Sequence, residues 1–326
     1  MTTTDIEVLT GYQAALQTSA YYHQAEIGCL RISGPDRADF LQRQSTNDLK
    51  RLAPGGILTT VLTDPAARIL DVLTLYEEDE TFTTVTLPRS ASETAAFLRS
   101  RIFFKDQVSV SDASQEYTHF LLIGPQVEHT LKRLGASPIP DDRAILHLEI
   151  DSAPVSMFKR WDWGYQLTTS MEACDKIERG LEAAGAARLS EASFTARRVE
   201  SGIPAGRHEL TGEYTPLETG LRALISDSKG CYTGQEVVAR QITYHKVTRQ
   251  LAGLRLSALV EPGSRLWSPD LEQPAGEATS VVDSPRFGPI ALGIVRRSFI
   301  ETGTRLRLSR NENGETAEVV SLPFRD

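Results

Sequence analysis

The stretch Lys229-Gly230-Cys231-Tyr232-Thr233-Gly234-Gln235-Glu236 is the most informative part of the chain. Thr233 is followed three residues later by Glu236, just before an apolar-periodic run, and this is the spacing of a capping box. The pattern predicts a helix capped by Thr233, with Cys231 two residues before its N-terminus. Backbone N–H groups at that point and the ammonium of Lys229 favour a thiolate, so Cys231 is a candidate reactive thiol.

A second interpretation of the same loop stays open. A capped helix with an inert, buried cysteine fits these residues equally well, because cysteine is often simply buried. In that interpretation Glu236 is only a capping carboxylate and Lys229 only a solvated charge. Gly230 and Gly234 allow the backbone to turn tightly or to approach a ligand closely.

Asp71 is the second candidate, in a predicted strand where it shares one face with Ile69, Leu73 and Leu75. A carboxylate on an apolar face costs stability unless a partner binds it, and burial raises its pKa towards acid–base use. A ligand amine could be that partner. The alternative is a carboxylate at the end of the strand that bonds to a neighbouring loop.

An aromatic row supplies a third candidate. Trp161, Trp163 and Tyr165 alternate as they would on one face of a strand, with Gln166 beside them. Such a row can stack a flat heterocycle, and an amide can recognise its polar edge. The alternative is ordinary hydrophobic core.

A basic cluster is the fourth candidate. Arg197, Arg198 and Glu200 lie about one turn apart on a predicted helix. They either form a local ion pair or direct a guanidinium at a carboxylate ligand, and the pattern leaves both open.

Helices and strands mix irregularly up to residue 245, including a helix that starts at Pro88. From Arg249, short alternating segments separated by Pro, Gly and Asn predict a small barrel or sandwich. The length of 326 residues suggests two or three domains. We expect an α+β region of two interleaved domains over 1–245 and a C-terminal β-barrel domain over 246–326.

The composition is typical of a globular intracellular protein. Charged residues make up 24% and hydrophobic residues 40%, and the formal net charge of −8 argues against a general nucleic-acid binder. The sequence shows no secretory signal pattern and no apolar run near the roughly 18 residues that a membrane helix needs. The three cysteines form no CxxC pair, which argues against disulfides and a Cys-based zinc site. We therefore expect a cytoplasmic protein without nucleic-acid, membrane or metal partners.

Signatures of several enzyme classes are missing. The sequence has no Walker lysine loop, no GxGxxG after a strand, no HExxH and no GxSxG. This argues against nucleotide hydrolases, dinucleotide oxidoreductases, zinc proteases and serine hydrolases. The three cysteines could hold an iron–sulfur cluster only with other ligands or a second subunit.

Four ordered segments resemble the YgfZ folate-binding family, which is related to the aminomethyltransferase (T protein) of the glycine cleavage system. Residues 229–236 resemble its KGCYxGQE signature, and residues 40–48 resemble its FLQxQxTND segment. Residues 215–218 resemble its TPLE segment, and residues 290–297 its ALGxVRR strand. Four matches in order are more specific than any single motif, and they favour a functional role for Cys231.

The resemblance implies a T-protein-like three-domain ring with ferredoxin-like α+β parts, a C-terminal β-barrel and a central pocket for tetrahydrofolate or a one-carbon derivative. Asp71 falls where the T protein carries its catalytic aspartate. Gln166 falls where the T protein has a pterin-binding glutamate, and an amide cannot accept two hydrogen bonds as a carboxylate does. The T protein also lacks the KGCYxGQE loop, so the resemblance points away from glycine cleavage.

The function that the resemblance implies is a tetrahydrofolate-binding accessory protein that supports assembly or repair of iron–sulfur clusters in client enzymes. Client enzymes or assembly factors are the expected partners, and Cys231 and Asp71 the expected catalytic residues. The expected folate contacts are Asp71, Tyr165, Gln166, Arg198, Lys229, Gly230 and Tyr232.

Two other functions stay open. A folate-dependent aminomethyl or methyl transferase would use Asp71 to assist attack by a folate nitrogen, and Cys231 would then be structural. A pure scaffold would dock a partner through the basic strands around Arg296, Arg297 and Arg305.

Overall fold

The computed structural model describes residues 3–78, 80–161, 163–270, 272–310 and 314–325. Its fold is mixed α+β with a closed six-stranded β-barrel at the C-terminal end, which confirms the predicted fold class. The chain divides into two compact units, each assembled from separate stretches of sequence. Unit 1 comprises Met1–Leu62, Asp71–Phe194 and Ser226–Tyr232, and unit 2 comprises Thr63–Leu70, Thr195–Ile225 and Thr233–Asp326.

The elements are numbered in chain order. The α-helices are α1 (Thr3–Gln17), α2 (Arg37–Gln44), α3 (Ala91–Ser100), α4 (Val127–Arg133), α5 (Cys174–Ala183), α6 (Glu191–Glu200) and α7 (Gln235–Thr243). The strands before the barrel are β1 (Ala20–His23), β2 (Ile27–Ser33), β3 (Ile57–Thr63), β4 (Ile69–Glu78), β5 (Thr81–Pro88), β6 (Ser109–Asp112), β7 (Tyr117–Ile123), β8 (Ile145–Ile150), β9 (Ala153–Lys159), β10 (Tyr165–Ser170) and β11 (Ala187–Arg188). The barrel strands are β12 (Arg249–Leu256), β13 (Ser264–Trp267), β14 (Pro274–Ser284), β15 (Gly288–Arg296), β16 (Arg305–Arg307) and β17 (Thr316–Val320). Short 3-10 helices span Leu49–Arg51, Met171–Ala173, Leu221–Leu224 and Arg297–Phe299.

Unit 1 contains two sheets. The first has the order β3-β4-β5-β2-β6, and its apolar face packs against α2 and α3 through residues such as Phe40 and Leu98. The second has the order β11-β1-β7-β10-β9-β8 and packs against α4 and α5 through residues such as Leu131 and Ile177. Within it β1 and β11 run parallel, whereas the other pairs are antiparallel.

The opposite faces of the two sheets meet inside unit 1. Tyr76 of β4 and Phe158 of β9 share one buried cluster, with ring centroids 5.9 Å apart. Strand alternation places the helix-facing residues and the residues of this inner layer on opposite sides of each sheet. The inner layer therefore lies between the two sheets of unit 1, on the side away from the packed helices.

Unit 2 contains the barrel, in the order β12-β15-β14-β13-β16-β17, closed by antiparallel pairing of β17 with β12. Its interior is filled by small and branched apolar side chains such as Ala278, Leu254 and Val319. Helix α6 packs on the outside, where Val199 joins Ile290 in a second apolar cluster.

Local signals predicted some element ends correctly and others wrongly. Gly185 follows α5 with a positive φ of 92°, as predicted for a residue that ends a helix. The helix expected from Pro88 instead begins at Ala91, because β5 extends through Pro88. Helix α1 was not predicted at all. Among the described residues, no helix is both long and apolar enough to cross a membrane.

Candidate functional site

Asp71 lies in the middle of the apolar interior of unit 1, as its strand pattern predicts. Its side chain is 0% exposed. Oδ1 accepts hydrogen bonds from the backbone N–H groups of Val72 (2.8 Å) and Leu87 (2.9 Å). Oδ2 accepts one from the hydroxyl of Thr94 on α3 at 2.6 Å. The carboxylate is therefore held by its own sheet and by the neighbouring helix.

Burial raises the pKa of Asp71 to about 7, although the three hydrogen bonds oppose this shift. The group can therefore gain or lose a proton near neutral pH, as acid–base chemistry requires. Thr94 was not predicted as a partner of Asp71. A polar residue on the apolar stripe of α3, one position before Ala95, is the signal that could have identified it.

Gln166 lies on β10 and points into the layer between the two sheets of unit 1. Its side chain is 0% exposed, and Oε1 accepts a hydrogen bond from Arg160 at 3.2 Å. Among the described residues, Nε2 has no hydrogen-bond partner. A buried, unpaired N–H donor costs about 1–3 kcal/mol, so this atom needs an acceptor that the described residues do not supply.

The predicted aromatic row is wrong. Strand β10 begins only at Tyr165, and Trp163 lies in the preceding turn, where its ring stacks on Phe194 at 6.1 Å. Tyr165 points to the helix-facing core, opposite Gln166, and its hydroxyl reaches Glu128 at 3.5 Å. The prediction is wrong because Trp163 lies in a turn. The side-chain alternation of a strand begins only at Tyr165.

The N-cap that the predicted capping box places at Thr233 is also wrong. Helix α7 begins at Gln235, with Gly234 as its N-cap at a φ of 83° and no side-chain cap. The carbonyl of Thr233 instead accepts a hydrogen bond from Thr63 at 2.7 Å, and Glu236 pairs with Arg240 one turn later. The helix therefore starts farther from Cys231 than the sequence suggested.

Lys229 is an anchor rather than a solvated charge. Its side chain is buried, and Nζ donates to the carbonyls of Ser45 and Asn47, both at 2.6 Å. The ammonium also lies 5.1 Å from the centre of the Tyr232 ring, within cation–π range. Burial lowers the pKa of Lys229 to about 8, opposed by the charge of Asp48.

Two of the sequence motifs therefore meet in unit 1. The segment that follows α2 is itself held rigid, since Asn47 donates to the carbonyl of Thr59 and Gln42 donates to Asp48. The hydroxyl of Thr46 accepts the N–H of Val61 at 3.1 Å. This network fixes the two carbonyls that bind Lys229. The FLQxQxTND segment (residues 40–48) therefore holds the signature loop in place through Lys229.

Cys231 is the exposed member of the loop. Its side chain is solvent-exposed, whereas Lys229 and Tyr232 on either side are buried. Cys29 is fully buried, and burial raises the pKa of its thiol to about 12. Cys174 is partly buried, and burial raises its pKa as well. Among the described residues, no group of three or more His, Cys, Asp or Glu is arranged to hold a metal ion.

The two loop glycines have different reasons for being glycine. Gly234 has a positive φ, and a Cβ there would lie 2.7 Å from the carbonyl oxygen of Asp64 and 3.0 Å from Cα of Ala67. At Gly230 a Cβ would meet no described atom within 4 Å. The fold requires Gly234, whereas the space beside Gly230 is open.

Arg198 lies in unit 2 and is bound by protein groups. Its guanidinium donates to the carbonyl of Ile203 (2.7 Å) and to Ser280 of β14 (2.9 Å), and it lies 3.5 Å from Glu209. Burial lowers the pKa of Arg198, and the charge of Glu209 opposes this shift only in part. The local ion pair predicted for this cluster is confirmed, and it forms between Arg197 and Glu200.

Two sheets with packed helices, followed by a closed antiparallel barrel, define a multidomain α+β protein. Within this class, unit 1 carries a proton-active carboxyl, an unpaired buried amide and an exposed thiol.

The chain belongs to the glycine cleavage T-protein family. Residues 7–229 match the model of the GCVT N-terminal domain, and residues 249–326 match that of the glycine cleavage T-protein C-terminal barrel domain.

Relatives extend over most of the chain. The chloroplastic "Putative transferase" of Arabidopsis thaliana is 29% identical over 91% of this chain and 70% of its own length. An aminomethyltransferase of Desulforamulus reducens is 25% identical over 97% of this chain and 89% of its own. The crystal structure of the glycine cleavage system aminomethyltransferase T from Bartonella henselae superposes with a TM-score of 0.82 at 20% identity, covering 97% and 89% of the two chains. This last likeness establishes the fold.

Proposed function

We propose that this chain is a cytoplasmic, tetrahydrofolate-binding accessory protein that supports assembly or repair of iron–sulfur clusters in client enzymes, as a YgfZ-type member of its family. The observation that carries the proposal is the presentation of Cys231. An exposed thiol stands between two buried side chains whose contacts fix the loop. All three cysteines are free, which suits a reducing compartment.

The loop is built to hold the thiol outward. Lys229 uses its ammonium on two backbone carbonyls and lies over the ring of Tyr232. We therefore give Lys229 and Tyr232 a positioning part rather than direct contact with folate. The open space beside Gly230 lets a ligand or a client approach the backbone next to Cys231.

The amide of Gln166 fits a folate-type heterocycle. Because Arg160 holds Oε1, Nε2 is left to donate to an acceptor atom of the bound ligand. Bound tetrahydrofolate, or a one-carbon derivative, would supply a carrier for one-carbon units. Asp71 faces α3 in the other sheet, where Thr94 bonds it, and would hold or release a proton there near neutral pH, since its pKa is about 7. Arg198 would keep α6 fixed on β14, and we omit Tyr165 from the site because it faces the opposite side of the sheet.

The thiol's part can be tested in a strain that lacks the native gene. We expect Cys231→Ser to lower the activity of iron–sulfur enzymes to that of the empty strain, with the protein still folded. Cys174→Ser is the matched control, because that thiol is only partly buried and lies outside the loop. Unchanged iron–sulfur enzyme activity with Cys231→Ser would remove the proposed role.

The folate part can be tested by anaerobic calorimetric titration with tetrahydrofolate. We expect micromolar binding, about −8 kcal/mol, by the native chain and at least tenfold weaker binding by Gln166→Leu, because its donor is lost. Gln126→Leu, an exposed amide of the same unit, should bind as the native chain does. The absence of binding by the native chain would rule out the folate role.

A second function is favoured by Asp71. A buried carboxyl with a pKa near 7 suits a folate-dependent aminomethyl or methyl transferase, and relatives named aminomethyltransferase cover nearly the whole chain. In that case turnover of a methylene donor with tetrahydrofolate would be lost in Asp71→Asn and kept in Cys231→Ser. Turnover that is kept in Asp71→Asn and lost in Cys231→Ser would favour the accessory function.

A further inference from the structure

Unit 2 contains a cavity of about 610 Å3 between the β3–β4 turn, helix α7 and the beginning of the barrel. This volume lies within the roughly 300–1,000 Å3 of typical small-molecule pockets. The residues that decide its chemistry are Arg68, Glu218, Gln241, Arg249 and Arg296. The proposed folate and thiol site uses none of them.

The cavity wall is positively charged on an acidic protein. Three guanidinium groups, those of Arg68, Arg249 and Arg296, face one carboxylate, that of Glu218, which leaves two positive charges. The chain as a whole carries −8. Arginine stays protonated at any physiological pH, so the cavity concentrates positive potential in all conditions.

One of these guanidinium groups is fixed in place. Arg249 Nε donates to Oε1 of Glu218 at 2.9 Å, and its Nη2 lies 3.3 Å from Oε2. Glu218 is buried and also accepts the backbone N–H of Thr215 at 2.9 Å. The Arg249 guanidinium lies over the ring of Tyr214 at 5.1 Å. Such preorganisation lowers the entropy cost of binding.

The other two guanidinium groups keep donors for a ligand. Arg68 donates through Nη1 to the carbonyl of Glu213 at 2.7 Å, and the same atom lies 3.5 Å from Oε2 of Glu218. Arg296 donates through Nη1 to Gln273 at 3.4 Å. Each guanidinium has five N–H donors, so contacts through Nη1 alone leave most of them available. Gln241 also lines the cavity, and among the described residues its Oε1 has no partner.

We propose that this cavity binds a small dianion whose carboxylate or phosphate oxygens are held by Arg68, Arg249 and Arg296. The planar fork of a guanidinium matches both kinds of oxygen pair. Two ligand charges neutralise the two positive charges that Glu218 leaves. The polar amide of Gln241 and the hydroxyl of Ser298 suit a hydrophilic ligand. The site is a second ligand site, separate from the proposed folate and thiol chemistry.

The test is calorimetric titration of the full chain with inorganic phosphate and, separately, with succinate at neutral pH and low salt. We expect the native chain to bind at least one probe with a Kd of about 1 mM or lower. Arg296→Gln should weaken that binding about tenfold or more, because a charge-assisted contact is lost. Arg305→Gln is the control, since Arg305 lies on the same barrel and its side chain is 80% exposed. It should bind as the native chain does.

The two probes also separate the possible sources of the dianion. Binding of phosphate alone would indicate that the ligand is a phosphomonoester, and binding of succinate alone would indicate a dicarboxylate. Binding of both probes would indicate a site that recognises charge. No binding of either probe at about 10 mM would overturn the proposal. Equal weakening by Arg296→Gln and Arg305→Gln would also overturn it, because the effect would then be general surface charge.

Discussion

Asp71 and Cys231, the two candidate reactive groups of unit 1, are held in opposite ways. Asp71 is completely buried and accepts three hydrogen bonds, and burial raises its pKa to about 7. Cys231 is exposed, whereas its neighbours Lys229 and Tyr232 are buried and make the contacts with the surrounding protein. The fold tunes the acid by enclosing it and presents the thiol by anchoring the chain on either side.

The largest effect that we expect concerns the pH dependence of Asp71. Its folded pKa of about 7 lies above the ordinary value of 3.8, so the folded state binds a proton that the unfolded state has already released. The native chain should therefore lose stability relative to Asp71→Asn as pH rises from about 4 to 7. Three pKa units correspond to about 4 kcal/mol.

Urea unfolding of both proteins at several pH values measures this difference. Asparagine suits the comparison, because its oxygen can keep the two backbone bonds while its N–H donates to Thr94. A stability difference that does not change with pH would show that Asp71 is already ionised when buried.

The next effect concerns Lys229, whose ammonium holds the signature loop in place. Lys229→Met leaves the carbonyls of Ser45 and Asn47 without their donor, and we expect a loss of about 3 kcal/mol of unfolding free energy. Lys246→Met, at an exposed lysine, should change it by less than about 0.5 kcal/mol. Similar values for the two variants in urea unfolding would mean that the loop is not held by its lysine.

A smaller effect separates the two loop glycines. Gly234→Ala should cost about 2 kcal/mol, because it adds a Cβ against Asp64 at a positive φ. Gly230→Ala should cost less than about 0.5 kcal/mol, since nothing described lies within 4 Å of the new atom. Thermal unfolding of the pair checks this. If Gly230→Ala is the more damaging change, the loop does not have the conformation described.

The smallest stability effect belongs to Cys231 itself. Cys231→Ser should change the unfolding free energy by less than about 0.5 kcal/mol, because the side chain is exposed. In the native chain, iodoacetamide should alkylate Cys231 first and leave the buried Cys29 unmodified until unfolding. Mass spectrometry of the alkylated peptides measures the order, and protection of Cys231 would contradict the exposed position.

Local sequence signals were enough for Asp71 but not for the loop. Strand alternation near Ile69 predicts the buried face directly, and the structure confirms it. The acceptors of Lys229 lie 184 and 182 residues away in the sequence, so no local pattern could show that the lysine is buried. The N-cap was predicted one residue too early, at Thr233, whereas the helix begins after Gly234, which has a positive φ.

The candidate ligand groups show the same limit. Gln166 was identified by its place beside the aromatic row and by resemblance, but its unpaired N–H depends on where Arg160 lies. The cavity of unit 2 was not predicted, because its arginines come from stretches as distant as Arg68 and Arg296. Arg296 was noted only as part of a docking strand.

The interleaving of the two units limits how this protein can be divided. Each unit takes its residues from three separate stretches of the chain, so no single cut separates one unit from the other. A gene truncated after residue 232 would still encode all of unit 1, but with two segments of unit 2 left without the remainder of that unit. A single recombination point therefore cannot exchange one of these units as an independent domain, because every such point also divides the other unit or carries part of it along.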